Sequence, residues 1–174
     1  MGPPCGRNGA IEGFVACDGM SAQMAGGEMD YRKFGDTYYI RLDRGDEVIT
    51  AILDVCRSEG LHSATFSGIG GCSDAEIQVF NPEACAFATE RVESLLELVS
   101  LMGNVISRAD GGLSHHAHAV FAYQDGGQQR ILAGHLKSTT VRYTAEIELR
   151  PVAGGVIGAQ LNEETNTNFW SFSA

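Results

Sequence analysis

The 174-residue sequence predicts an α+β domain: a mostly antiparallel β-sheet with one principal amphipathic helix. Three observations lead there. Only one segment keeps helical spacing, the segments after it read as successive strands, and a Gly-Gly dipeptide joins two of them as a tight hairpin would. A chain of this length builds one ordinary domain with a real core and is short for two.

Residues 1–30 hold Gly2, Gly6, Gly9, Gly13, Gly19, Gly26 and Gly27 with Pro3 and Pro4, and no sustained apolar period. This predicts a flexible tail ahead of a single domain over 31–174. "TYYIRL" (37–42) is strand-like in its β-branched and aromatic content. "GDEVITAILDVCRSEG" then sets Val48, Ile49, Ile52, Val55 and Cys56 on one helical face. Asp46 and Glu47 suit the positive N-terminal end of that helix, and Gly60 is a natural stop.

From there strands follow: "SATFSGI", "DAEIQVF", "SLLELVSLMGNVIS", "HAHAVFAY", "RILAGHL" and "STTVRYTAEIEL". The last alternates, which predicts Val141, Tyr143, Ala145, Ile147 and Leu149 inward and the residues between them outward. "SGIGGCSDAEI" reads as a tight turn between strands rather than a phosphate loop, because no helix follows to receive the phosphate. "NPEACAFATE" (81–90) reads as a loop or short helical insertion, and Trp170 as an anchor for the C-terminal segment on the domain or a partner chain.

Charge narrows the function. The net charge of -10 comes from 22 acidic and 12 basic residues, and the basic ones form no stripe. Duplex DNA is held largely by clustered Lys and Arg, so the chain is a poor direct DNA binder on its own charge. Five cysteines (Cys5, Cys17, Cys56, Cys72, Cys85) form no C-x-x-C pair, which points away from a disulfide framework and toward a reducing cytoplasm. No signal-peptide pattern and no long apolar run is seen, so no membrane role is expected.

Nucleophilic catalysis lacks support: there is no G-x-S-x-G, and Ser114 and His115, as strand neighbours, face opposite ways. The histidines carry more. In an extended "HAHA", His116 and His118 share a face roughly 7 Å apart, and His115 faces the other way. If Gly126 and Gly127 form a two-residue turn, Asp125 pairs with Gln128, His118 falls opposite His135, and His116 opposite Lys137. The same register sets Ala117, Ala119 and Phe121 against Leu136, Gly134 and Leu132 as an apolar inner face. A bulge would break it.

Three neutral imidazoles with one open position suit Zn²⁺, with water, carboxylate or phosphate as the fourth partner and Lys137 helping to hold an anion. The competing reading is a patch of polar histidines on a solvated or subunit-facing surface. No carboxylate can be placed beside the cluster as a general base; Glu97, Glu163 and Glu164 are the conceivable ones. His62 is isolated and reads as structural.

The order "YYIRLDRGDEVITAILDVCRSEGLHSATFSGIGGCSDAEI", "LELVSLMGNV", "HAHAVFA", "AGHL" and "AEIEL" resembles the PPC family, named for plants and prokaryotes conserved. The likeness runs from about Tyr38 to about Val152, with Gly68, Gly70, Gly103 and the H-x-H and G-H-L segments as its most specific parts. It implies an α+β domain that assembles as a homotrimer, with a DNA-associated, transcription-regulator role. It also implies a metal site at His116, His118 and His135, and a partner-binding segment at Glu97, Leu98, Val99, Ser100 and Leu101. No Arg-Gly-Arg-Pro hook precedes the domain, which removes the minor-groove contact of the plant members. Two function classes therefore stand: a homotrimeric binding and assembly module, or a three-histidine zinc protein acting as a metal-dependent enzyme or small-ligand sensor. A scaffold whose trimer interface is its only activity is a third.

Overall fold

A short turn at Arg44–Gly45 leads through Asp46 and Glu47 into the helix α1 (Val48–Ser58). Glu47 is its N-cap, accepting the backbone N–H groups of Ile49 at 3.3 Å and Thr50 at 2.7 Å. The carboxylate also accepts the Thr139 N–H at 3.3 Å, which ties the helix start to the sheet. Gly60 ends the helix at φ +64°, a value that costs a glycine little. Its N–H donates to Arg57 O and that of Leu61 to Cys56 O, closing a Schellman motif. Val48, Ile49, Ile52, Val55 and Cys56 are buried as the spacing predicts, with Ala51 beside them.

The computed structural model describes residues 29–108, 110–162 and 167–173. Of the expected N-terminal tail over 1–30, residues 1–28 lie outside the described residues, as do Glu163 and Glu164, while Asp30 already opens the first strand. In chain order the strands are β1 (Asp30–Phe34), β2 (Thr37–Asp43), β3 (Ala64–Asn81), β4 (Ala86–Ser107), β5 (Leu113–Asp125), β6 (Gln128–Pro151), β7 (Val156–Asn162) and β8 (Thr167–Ser173), with α1 between β2 and β3. They form one sheet ordered β1-β2-β6-β3-β4-β7-β8, with β5 bonded to both β4 and β6. All pairings are antiparallel except the single β4–β7 contact, Ser107 with Gly158.

Because β3 also pairs with both β4 and β6, the four strands β3 to β6 make a closed circuit of hydrogen-bonded neighbours. The core joins Ile77, Leu96, Leu98, Leu101, Phe121 and Leu136 of that circuit to Val48, Ile52 and Val55 of α1, which packs on β6. The mostly antiparallel α+β architecture is as the sequence predicts.

The differences have physical reasons. "SGIGGCSDAEI" is not a turn: β3 runs through it, with register shifts between Gly68 and Gly70 and between Cys72 and Asp74. A Cβ at Gly68 would lie 2.7 Å from Glu146 O, and one at Gly70 2.8 Å from Ala145 Cα, so these glycines let the β6 backbone close in. Only Pro82–Cys85 of "NPEACAFATE" turn; Ala86–Glu90 continue β4, and Phe80 and Phe87 meet edge to face across the hairpin at 5.5 Å. "RILAGHL" and "STTVRYTAEIEL" are one strand, β6.

Tyr143 is 55% exposed, whereas Val141, Ala145, Ile147 and Leu149 are buried. Between the pairs Gly70–Ala145 and Cys72–Val141, three β6 residues oppose one β3 residue, and that irregularity turns Tyr143 out. Trp170 does not join the core. It stands on the β7–β8 hairpin across from Ala159, 47% exposed, with its ring on Phe172.

Candidate metal centre

The β5–β6 hairpin turns at Gly126 (φ +56°) and Gly127 (φ +79°), both in the left-handed region that a type I′ turn requires. Asp125 pairs with Gln128, Phe121 with Leu132, Ala119 with Gly134 and His118 with His135, the register derived from the turn. The ladder ends at His118–His135, so the further pairs His116–Lys137 and Ala117–Leu136 do not form. The reason is a bulge: β3 pairs Ile77 with Leu136 and Glu76 with Ser138, leaving Lys137 as the extra residue on β6. The feared irregularity exists, but it falls two residues past His135 and spares the histidine pair.

His116, His118 and His135 come together. Their ligating nitrogens all lie within 4.8 Å of one another, and His116 Nε2 is 3.1 Å from His135 Nδ1. Tetrahedral Zn²⁺ with Zn–N bonds of about 2.1 Å sets its nitrogens about 3.4 Å apart, a spacing small ring rotations reach from this geometry. His116 stacks on His135 with centroids 5.0 Å apart, and the His118 ring meets His135 at 4.2 Å. The edge of Phe87 backs His135 at 5.3 Å.

Burial, then the neighbouring His118, holds the His116 pKa below the usual histidine value. For His135 the causes are burial, then the other two histidines, then Lys137. Both shifts favour the neutral imidazole, which is the form that ligates. Asn104 sits directly across β4 from His116, and its Oδ1 is buried without a hydrogen-bond partner. Such an acceptor suits the remaining N–H of a metal-bound imidazole. The donor set and this orphaned acceptor fit a divalent metal of zinc type.

A cavity of about 150 Å³ adjoins the cluster, walled by Gln78, Phe87, His115, His116, His135 and Lys137. Lys137 thus stands beside the histidines although it pairs with neither. His115, read as facing away, opens onto the same cavity, and burial lowers its pKa while the Glu47 charge opposes that. Gln78 and Phe87 were missed. Gln78 pairs with His135 from β3, a long-range register no local pattern encodes, and Phe87 was hidden in a segment read as loop.

Glu97 lies elsewhere: it pairs with Ala122, five residues along β4 from the Met102 that faces His118, a strand distance of about 15 Å. In the segment Glu97–Leu101, Leu98 and Leu101 are core residues, while Glu97 and Val99 are exposed and Ser100 is half-buried. Val99 is the extra residue between the pairs Leu98–Phe121 and Ser100–Val120, so a bulge turns it out. It lines an open apolar groove of about 740 Å³ with Phe34, Tyr39, Ile69 and Met102, all exposed.

No curated protein matches the chain. Among solved structures, a plant- and prokaryote-conserved (PPC) protein from Pyrococcus horikoshii is 30% identical, covering 85% of this chain and 97% of its own, with a TM-score of 0.68. A metal-containing protein from Archaeoglobus fulgidus is 26% identical, with coverage of 83% and 99% and a TM-score of 0.69. A Ralstonia eutropha protein titled "Putative DNA-binding protein" is 25% identical, with coverage of 81% and 94% and a TM-score of 0.70. Residues 29–153 match the profile of the Plants and Prokaryotes Conserved (PCC) domain, and with most of its length inside that match, the chain belongs to this family.

Proposed function

We propose that the protein is a homotrimeric binding module of the transcription-regulator class whose histidines His116, His118 and His135 hold Zn²⁺ as a small-ligand sensing site. The observation that carries the metal is the convergence of three ring nitrogens within 4.8 Å from two strands. The likeness to the metal-containing Archaeoglobus protein supports it. When bound, the ion supplies a Lewis-acid position open to one further ligand.

Assembly rests on the apolar groove. Val99, Ile69, Met102, Phe34 and Tyr39 are each more than 40% exposed, and contiguous apolar surface of this kind marks protein contacts. Residues Glu97, Val99 and Ser100 are the part of the partner-binding segment available to a second chain. Met102, on the groove, stands directly across from His118, so association would also shelter the histidines.

The sensor is favoured over a metal-dependent hydrolase because no Asp or Glu lines the cavity beside the histidines among the described residues. DNA association, which the likeness to the Ralstonia protein raises, is assigned to a partner, since the chain carries a net charge of -10. Metal analysis of protein purified without chelators tests the reading, with about one zinc per chain expected and little in His118→Ala. A duplex titration at two salt concentrations tests the rest; tight, salt-dependent binding by the isolated protein would contradict the charge argument.

A further inference from the structure

The cavity beside the histidines has a chemistry of its own. Among the described residues its lining contains no acidic side chain, although acids outnumber bases 22 to 12 in the chain. It does contain Lys137, one of two lysines, and the other, Lys33, lies over the Tyr38 ring. Among the described residues Lys137 makes no ion pair. Its charge is felt at both His115 and His135.

The Glu47 carboxylate, whose charge acts on His115, caps the helix N-terminus and accepts the Thr139 N–H, and it makes no ion pair with Lys137. The β6 bulge falls on Lys137 itself, and bulges re-aim side chains beside binding sites.

The rest of the wall mixes the polar side chains of Gln78 and His115 with carbon. Phe87 stands on one side, and Ala117 and Leu136, both 3% exposed, contribute the floor. At about 30 Å³ per water, the space holds roughly five waters, enough for a short organic acid and far too little for a nucleotide.

We propose that this cavity binds a short-chain organic carboxylate, one carboxylate on the open metal position and a second anionic group on Lys137. The proposal rests on the three-histidine metal reading and names the ligand class for it. The exposed Phe87 ring on one side of the cavity favours an acid with a carbon backbone over inorganic phosphate, which would leave that ring without a contact. Recognition then needs three things together: metal, lysine and a small slot with one aromatic side.

The test uses full-length protein loaded with Co²⁺, its cobalt content measured first, and titrated with malonate or inorganic phosphate while the visible Co²⁺ bands are followed. Malonate is expected to shift the bands saturably and to bind more tightly than phosphate. Lys137→Met is expected to keep its cobalt and lose about tenfold in malonate affinity, the scale of one charge-assisted hydrogen bond. Lys137 is exposed, so this replacement leaves the fold intact. Bands that ignore malonate in cobalt-loaded protein, equal affinity in Lys137→Met, or a preference for phosphate would each overturn the carboxylate site while the metal site stands. Failure to take up cobalt at all would remove the metal reading and the proposal with it.

Discussion

At the scale of single residues, His116 and His135 sit where the neutral imidazole, the form that ligates a metal, is favoured. Burial and mutual proximity lower the pKa of His116 and His135. In the unfolded chain both titrate near about 6.5. As pH falls through that value the unfolded state takes up protons first, so the stability present above about 6.5 is lost on the way down to the lowered folded values. Thermal melts of metal-stripped protein from about pH 8 to about pH 5 are expected to show this loss, and a His116→Asn/His135→Asn double variant to show a shallower one; equal slopes would contradict it. Asn104 acts one step further out. Replacing it by Leu removes the buried acceptor opposite His116, and a drop in metal affinity of about tenfold or more is expected in a competition titration against a chelating dye.

At the scale of elements, the hairpin was legible and the sheet around it was not. Gly126 and Gly127 set the β5–β6 register locally, so residues from Phe121 to His118 could be placed against their partners by counting. The partnership of β3 with both β4 and β6 depends on contacts far apart in sequence. That is why Gly68–Gly71 read as a turn and why β6 reads as two strands; β1 and the β7–β8 hairpin pair locally and lie outside the segments read as strands.

The glycines of the family likeness now have a physical reason. A Cβ at Gly103 would sit 2.3 Å from Phe66 Cζ and 2.6 Å from His116 O. Gly103→Ala is therefore expected to destabilise the fold by about 1–3 kcal/mol in urea titration, with Phe66 or the β5 strand displaced. Gly127→Val, forcing a β-branched residue to φ +79°, is expected to cost about 1–2 kcal/mol and to loosen the histidine register.

At the scale of the whole molecule, one face of the sheet is finished and another is open. The helix covers the core beneath β6, while the groove leaves Val99 53% and Met102 65% exposed. A charge placed there should be tolerated by the fold and not by assembly, so if the groove holds the proposed trimer together, Val99→Glu is expected to give folded monomers by light scattering and the native chain trimers. The histidine cluster borders the same groove through the Met102–His118 pair, so metal and assembly belong in one measurement. Native mass spectrometry of protein purified without chelators counts both. The account predicts three chains carrying three zinc ions, and three chains without metal in His118→Ala; a metal-free native protein, or zinc retained in the variant, would contradict it.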